Sequence, residues 1–318
     1  MKHHHGKYTL KVKGEEYKVE ICNYTENSSY VVSKSMGNKT AEKRMLILKY
    51  NKNLEIAENV QITSEGRNKK GMFICVAGEL TNNGTITMSG KGTINEEGQN
   101  VYLWKNTNGS YEYVPAVGAV GGARSTSIGN NGEERTGRQT GGGGSGSTWS
   151  GTAGAGATGT SYSGGSGGGG VYGTTGNDAQ PNGGSGGAGK TTRSDYNVGS
   201  GSSAPGGLLT IYAKNIINLG TVTADGGTGG SGNYRAAWTS NSGTYYPARY
   251  AGGAGGGSGG GSVNIFYENI ENYKTITAKG GSGGTSKNQN NATRNGGAGG
   301  NGSVCLGSVS SGDYEVNL

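Results

Sequence analysis

Histidine is confined to positions 3–5 of this chain. A Ser-His-Asp set is therefore excluded, because no other segment supplies an imidazole base. Three adjacent histidines at one end read as a chance cluster or a tag remnant rather than as a metal site, which needs converging ligands fixed by further hydrogen bonds. Phenylalanine occurs twice, and apolar residues make up 30% of the chain. An ordinary packed core of this length needs more. The three cysteines, Cys22, Cys75 and Cys305, are far apart and fit neither a disulfide framework nor a metal-ligand spacing. Cys75 and Cys305 lie in the runs FICV and SVCL and read as small buried hydrophobes. No apolar run reaches transmembrane length. The start of the chain, MKHHHGKYTLKVKGEE, lacks the apolar stretch of a secretory signal. The expected location is a virion or a cell surface reached without the general secretory route.

What the chain has instead is glycine, 69 residues of 318, about three times average usage. Such a chain is either largely disordered or ordered by something other than apolar side chains. The net charge of +7 sits at one end: residues 1–71 hold 14 basic and 8 acidic residues, and residues 72–318 hold 14 and 13. The basic segment is mixed with acids and reads as a solvated face. It lacks the basic stripe of a nucleic-acid binder.

A recurring unit organises the sequence: apolar strand, Asn-rich turn, Thr-x-Thr strand, then glycine. It appears at 72–92, 208–230 and 261–284. Val60 to Thr85 gives a spacing of 25 residues, within the range of stacked repeats. Residues 7–65 alternate as strands, with a hairpin turn at Gly14-Glu15. The stretch from Ala41 to Tyr50 also suits a short helix. Val101–Trp104 and Tyr111–Val114 bracket Asn108-Gly109, a hairpin signal. The expected fold is mainly β: an N-terminal β or α+β attachment module over 1–65, a β-rich scaffold over 66–117, and a glycine-rich region over 118–318. The scaffold strands suit a β-solenoid or layered sheets.

After Pro115, glycine tracts alternate with segments rich in Tyr, Trp, Arg, Asn and Ser. A flexible Gly/Ser linker is one reading. Collagen is excluded, because runs such as GTAGAGATGTSYSGG break its three-residue rule. The remaining reading is a bundle of three-residue-period glycine helices. Their backbone groups point outward and pair between helices that lack Cβ atoms. In a Gly-Gly-X tract such as 226–232, one row faces out and two glycine rows face in. Gly227 and Gly230 are then expected to tolerate less than Thr228.

This alternation resembles the glycine-rich tail-fibre adhesins of contractile-tailed bacteriophages. The stretches KGMFICVAGELTNNGTITMSGKG, QNVYLWKNTNGSYEYVPAVGAVGGA and GGGSGGGSVNIFYENIENYKTITAKGGSGG are also similar to glycine-rich phage and surface proteins of Firmicutes. The resemblance covers residues 70–318. It implies polyglycine-II helices packed as a sandwich, with inter-tract loops touching a host receptor, and attachment to a fibre or other structural protein through residues 1–65. The alternatives are a structural glycine-rich surface or appendage protein without a specific ligand, and an ice-binding protein. The irregular segments do not supply the flat Thr or Ala rows of the latter.

Gly184–Thr191 satisfies the letters of a phosphate-binding P-loop. Its neighbours, Asp178-Ala-Gln-Pro-Asn and Thr192-Arg-Ser-Asp-Tyr, offer neither the buried strand nor the amphipathic helix that the mechanism needs. Adjacent acids at 15–16, 96–97 and 133–134 would face opposite sides of a strand. A glycosidase pair drawn from distant segments stays open, but the expectation is a binding protein without enzyme activity, metal or cofactor. The inter-tract segments have antibody-loop composition. The candidate ligand residues are Trp149, Tyr162, Tyr172, Tyr196, Tyr234, Arg235, Trp238, Tyr245, Tyr246, Arg249, Tyr250 and Asn290. They suit sugar rings or an exposed protein loop on a host cell. Alternatively, the aromatics cap the open ends of the glycine layers.

Overall fold

The computed structural model describes residues 2–12, 15–34, 36–38, 45–66, 71–92, 101–105, 111–115, 152–159, 164–171, 173–177, 183, 186–190, 198–232, 234–235, 237–246, 249–250, 252–287 and 293–308. Among the described residues every regular element is a strand. In chain order they are β1 (Lys2–Val12), β2 (Glu15–Glu26), β3 (Tyr30–Val32), β4 (Met36–Asn38), β5 (Met45–Tyr50), β6 (Leu54–Ile56) and β7 (Gln61–Ser64). Next come β8 (Met72–Asn82), β9 (Thr85–Thr87), β10 (Val101–Lys105), β11 (Tyr111–Pro115), β12 (Leu208–Asn218) and β13 (Thr221–Thr223). The last are β14 (Tyr234–Arg235), β15 (Trp238–Thr239), β16 (Tyr245–Tyr246), β17 (Arg249–Tyr250), β18 (Ser262–Asn272), β19 (Ile276–Thr277), β20 (Thr285–Lys287), β21 (Thr293–Asn295) and β22 (Ser303–Ser308).

Two sheets carry the architecture. One runs β1-β2-β5-β8-β12-β18-β22, with β6 beside the second half of β8 and β3 beside β6. The other runs β19-β13-β9-β7-β4. Every pairing in them is parallel except β1 with β2. β8, β12 and β18 of the first sheet each pass through a short turn into a strand of the second, so β8–β9, β12–β13 and β18–β19 are successive rungs. The turns repeat as well. Asn83 N–H donates to Ile56, Leu219 to Asn82 and Tyr273 to Asn218. Gly84 and Gly220 stack at these turns, where a Cβ on Gly220 would strike the Gly84 carbonyl.

The sparse apolar residues suffice because register gathers them into columns between the sheets. Leu46, Met72, Leu209 and Val263 form one column, and Leu48, Ile74, Ile211 and Ile265 the next. Leu54, Leu80, Ile216 and Ile270 follow, and Ile62, Ile86, Val222 and Ile276 line the second sheet. Full burial of each such side chain is worth about 1.5–3 kcal/mol. A polar column crosses the same core. Asn82 donates to Asn218 at 2.7 Å, and Asn218 donates to Asn272 at 2.7 Å. The first sheet is also covered on its other face, where Ile47, Phe73, Thr210 and Asn264 share a row and are all buried. This accounts for apolar runs such as Met72–Ile74, which carry no two-residue alternation.

β1 and β2 pair antiparallel as expected, but Glu15 is opposite Val12 and belongs to the strand rather than to the turn; β10 pairs β11 around the Asn108-Gly109 segment. Met45–Tyr50 is a strand, not helix, because its Leu46 and Leu48 fill the core columns; residues 41–44 lie outside the described residues. β2–β7 belong to the same two sheets as β8 and β9, so the sheets run across the expected boundary at residue 65. Rung spacing is 26 residues from Leu46 to Met72 and 24 from Ile62 to Ile86. Cys75 and Cys305 are half-buried rather than buried. Cys75 sits beside Tyr212 on the face away from the inter-sheet core.

Candidate functional site

The rungs are joined by glycine tracts. Among the described glycines only Gly71, Gly90 and Gly243 have positive φ, so the tract glycines are not required by backbone angle. They are required by space. A Cβ on Gly256 would run into the Gly168 carbonyl, one on Gly186 into Gly256, and one on Gly229 into Gly255.

Tract 252–261 shows what fills that space. Gly253 and Gly256 donate to Lys190 and Gly187 and accept from Gly199 and Ser202. Ala254, Gly257 and Gly260 accept from Val171, Gly168 and Gly165, while Gly257 and Gly260 donate to Gly297 and Gly300. Gly255, Ser258 and Gly261 donate to Gly230, Gly227 and Ala224, and the first two accept from Gly284 and Gly281. The three rows of one three-residue-period strand thus bond six neighbouring tracts. The whole of 252–261 is buried. Its two side chains beyond glycine are accommodated in distinct ways. Ala254 packs with Ala153 and Val171. Ser258 Oγ donates to the Ala204 carbonyl at 2.9 Å and accepts the Gly227 N–H at 2.8 Å.

Pairing order fixes the direction of each tract. Tracts 164–171, 186–190, 224–232 and 278–284 run against 252–261, whereas 152–159, 198–206 and 296–302 run with it. One end of the bundle therefore feeds directly into β12, β18 and β22 and receives β13 and β19. At the opposite, far end lie residues 152, 171, 190, 198, 232, 252, 284 and 296. Segments 191–197, 233–251 and 285–295 leave and re-enter there.

The longest of these segments is a β-ribbon. Tyr234 faces Tyr250 and Arg235 faces Arg249; further out, Trp238 faces Tyr246 and Thr239 faces Tyr245. The two pairings share one register, and between them the sequence holds Pro247, which has no N–H for a ladder. The tip closes with Gly243 at φ 79° and Ser240 accepting its N–H at 2.9 Å. Tyr245 is 66% exposed beside this tip. A second ribbon pairs Thr285–Lys287 with Thr293–Asn295. Its Arg294 is buried, and desolvation pushes the guanidinium down from its usual range.

Tyr234, Arg235, Trp238, Tyr245, Tyr246, Arg249 and Tyr250 are thus brought together on one ribbon. Trp149, Tyr162, Tyr172, Tyr196 and Asn290 lie outside the described residues. The described neighbours of Tyr172, Tyr196 and Asn290 are at the far end, and residue 152 brings the chain in from Trp149 there too. The neighbours of Tyr162, Gly159 and Gly164, are at the sheet end. Sequence reasoning overlooked the ribbon tip at 240–244 and Arg294; the signal for the second ribbon was the pair of three-residue polar runs flanking the Asn-rich sequence 288–292. In the P-loop look-alike, Gly186 and Gly189 donate their N–H groups to Ser202 and Gly199, so the backbone donors that would cradle a phosphate serve the bundle. Among the described residues, no group of three His, Cys, Asp or Glu could hold a metal. No family model, curated protein or solved structure matches the chain.

Proposed function

We propose that this chain is a receptor-binding adhesin at the tip of a phage or phage-tail-like fibre, and that it recognises a host cell-surface glycan or protein through the segments between glycine tracts. On this reading the two stacked sheets are a β-solenoid scaffold and the tracts are a polyglycine-II bundle. The observation that carries the reading is the shared far end: ribbon 234–250, ribbon 285–295 and segment 191–197 emerge together, away from the sheets. Rigid scaffolds that present variable polar-aromatic loops are the usual construction of recognition surfaces. The three-residue period, the six-neighbour packing and the ordinary φ of the tract glycines support the polyglycine-II assignment. Residues 1–65, which supply the β1 edge of the first sheet and the β4 edge of the second, attach the chain to a fibre or other structural protein of the virion.

The test is loop exchange. Replacing residues 236–248 with an unrelated ribbon of equal length leaves the thermal transition in place and changes which bacterial cells the purified protein binds. If the exchanged protein keeps both its fold and its cell specificity, the adhesin reading fails and a structural glycine-rich surface protein takes its place.

A further inference from the structure

The core columns end uncovered at the last rung. Leu46, Met72, Leu209 and Val263 are each 1% exposed or less, and Leu48, Ile74, Ile211 and Ile265 are each 2% or less. Val304 and Leu306 stand next in these two columns, yet they are 41% and 47% exposed. Among the described residues β22 pairs with β18 alone. Ser303 donates its N–H to Gly261. That sets the backbone groups of 303, 305 and 307 towards β18 and those of Val304 and Leu306 along the outer edge. A sheet edge with apolar side chains is a template for other chains, and folded proteins cover such edges. The opposite edge of the same sheet ends in an antiparallel strand, β1 folded back on β2.

The segment that follows β22 has the pattern to do likewise. Residues 309–318 lie outside the described residues, and their sequence is VSSGDYEVNL. Ser310-Ser311-Gly312 suits a three-residue hairpin loop, whose third position is left-handed and favours glycine. With that loop, Val309 stands opposite Asp313. Ser308, Leu306 and Val304 then stand opposite Tyr314, Val316 and Leu318. Directly opposed residues share a face, so one apolar residue is added to each open column. Glu315 and Asn317 fall on the other face. A straight continuation along β18 fits worse. In the register of Tyr267 with Ser308, it sets Ser311 against Ile270 and Asn317 against Ile276. Both columns are apolar in every earlier rung.

We propose that residues 309–318 fold back on β22 as a β-hairpin, with residues 314–318 pairing antiparallel to residues 304–308. The hairpin covers Val304 and Leu306 and closes the edge against a second copy of the chain. This inference is independent of the adhesin reading.

The experiment uses the full chain and the native Cys305, which is half-buried. In the proposed pairing Cys305 stands opposite Asn317. Such a pair exchanges no backbone hydrogen bonds, and its Cα atoms come within about 4.5 Å, inside disulfide reach. Under mild oxidation Asn317→Cys is expected to form an intrachain disulfide to Cys305. The yield exceeds that of Val316→Cys or Leu318→Cys, whose side chains face the core, by about tenfold. Peptide mass mapping reads the linkage. Two lysine variants read burial: Val316→Lys lowers the thermal transition, and Asn317→Lys leaves it in place. Equal linkage from all three thiols, no linkage from Asn317→Cys, or equal transitions for the two lysine variants overturns the proposal. A disulfide that joins two chains overturns it too, and gives the edge to a second copy.

Discussion

Gly256→Ala places a single methyl group at the centre of the bundle. The new Cβ would overlap the Gly168 carbonyl and lie 2.8 Å from the Gly169 carbonyl oxygen. No flexible side chain is available to move aside, so tract 164–171 must shift as a unit. Three hydrogen bonds hold it to the central tract, from Gly165 to Gly260, Gly168 to Gly257 and Val171 to Ala254. Weakening all three costs about 1 kcal/mol each, and overpacking adds about 1–3 kcal/mol. The lower backbone entropy of alanine in the unfolded chain returns about 0.4–1 kcal/mol. The net loss is about 3–5 kcal/mol, or roughly 5–8 °C in Tm for a chain of 318 residues. Thr228→Ala is the control. Thr228 is exposed on the outward row of its tract, and such a change stays within about 0.5 kcal/mol. Thermal unfolding followed by far-UV circular dichroism reads both, with amide hydrogen exchange at 164–171 as the local probe. If Gly256→Ala and Thr228→Ala unfold within about 0.5 kcal/mol of each other, the tracts do not pack backbone against backbone and the reasoning is refuted.

The two inward rows of tract 224–232 differ: a Cβ at Gly227 first meets Ser202 Oγ at 2.9 Å and Ala204 Cβ at 3.0 Å, whereas one at Gly229 meets the Gly255 and Gly256 carbonyls. Gly229→Ala is therefore expected to cost about 1–3 kcal/mol more than Gly227→Ala in urea unfolding. Asn218→Ala removes one buried hydrogen bond and one at the half-buried end of the column and is expected to cost about 1–3 kcal/mol; equal midpoints for the variant and the parent would refute a structural role for the asparagine column. Desolvation pushes the Cys75 thiol up to about 12. The thiol ionises in the unfolded chain at lower pH than in the folded one. Its contribution to stability is whole below the unfolded value and is lost as pH rises towards about 12. At pH near 9, iodoacetamide is expected to label Cys75 slowly in the native protein and at the free-thiol rate in denaturant, read by peptide mass.

The strand-turn-strand-glycine unit was legible because its parts have strong local causes. β-branched residues, Asn-Gly turns and glycine each restrict the backbone on their own. The joint sheets of residues 15–64 and 72–87 were less legible, because the early second-sheet strands Met36–Asn38 and Gln61–Ser64 lack both the Thr-x-Thr pattern and a following glycine tract. Nothing in Lys49 or Glu55 announces which rung lies next to it. The far-end assembly was legible in composition and hidden in geometry. Trp149 and Tyr162 look alike in sequence, yet their described neighbours are at opposite ends of the bundle. Only the direction of tracts 152–159 and 164–171 decides that, and direction is a property of pairing. The difference between Gly227 and Gly229 was hidden for a similar reason: two glycines carry no mark of what stands opposite them.

Strand pair β13–β19 runs into tracts 224–232 and 278–284 without losing count. Val222, Ala224, Gly226, Gly229 and Gly232 donate to Thr275, Thr277, Lys279, Ser282 and Thr285, each acceptor 53 residues beyond its donor. The interval between donors changes from two residues to three at Gly226. Asp225 fastens the change, its carboxylate accepting Lys279 N–H at 2.6 Å and Thr277 Oγ1 at 3.1 Å. Bare glycine has no phase of its own, and a tract that slips by three residues regains every bond. In the strand the same slip turns Val222 out of the core and Thr221 into it. A slip of two keeps the strand faces and breaks the tract. Six is the smallest displacement that both periods accept, and it would unpair most of the nine residues of 224–232. Joining a two-residue rhythm to a three-residue one lets valine and isoleucine at one end set the alignment of glycine at the other, and with it the height at which each far-end loop is carried.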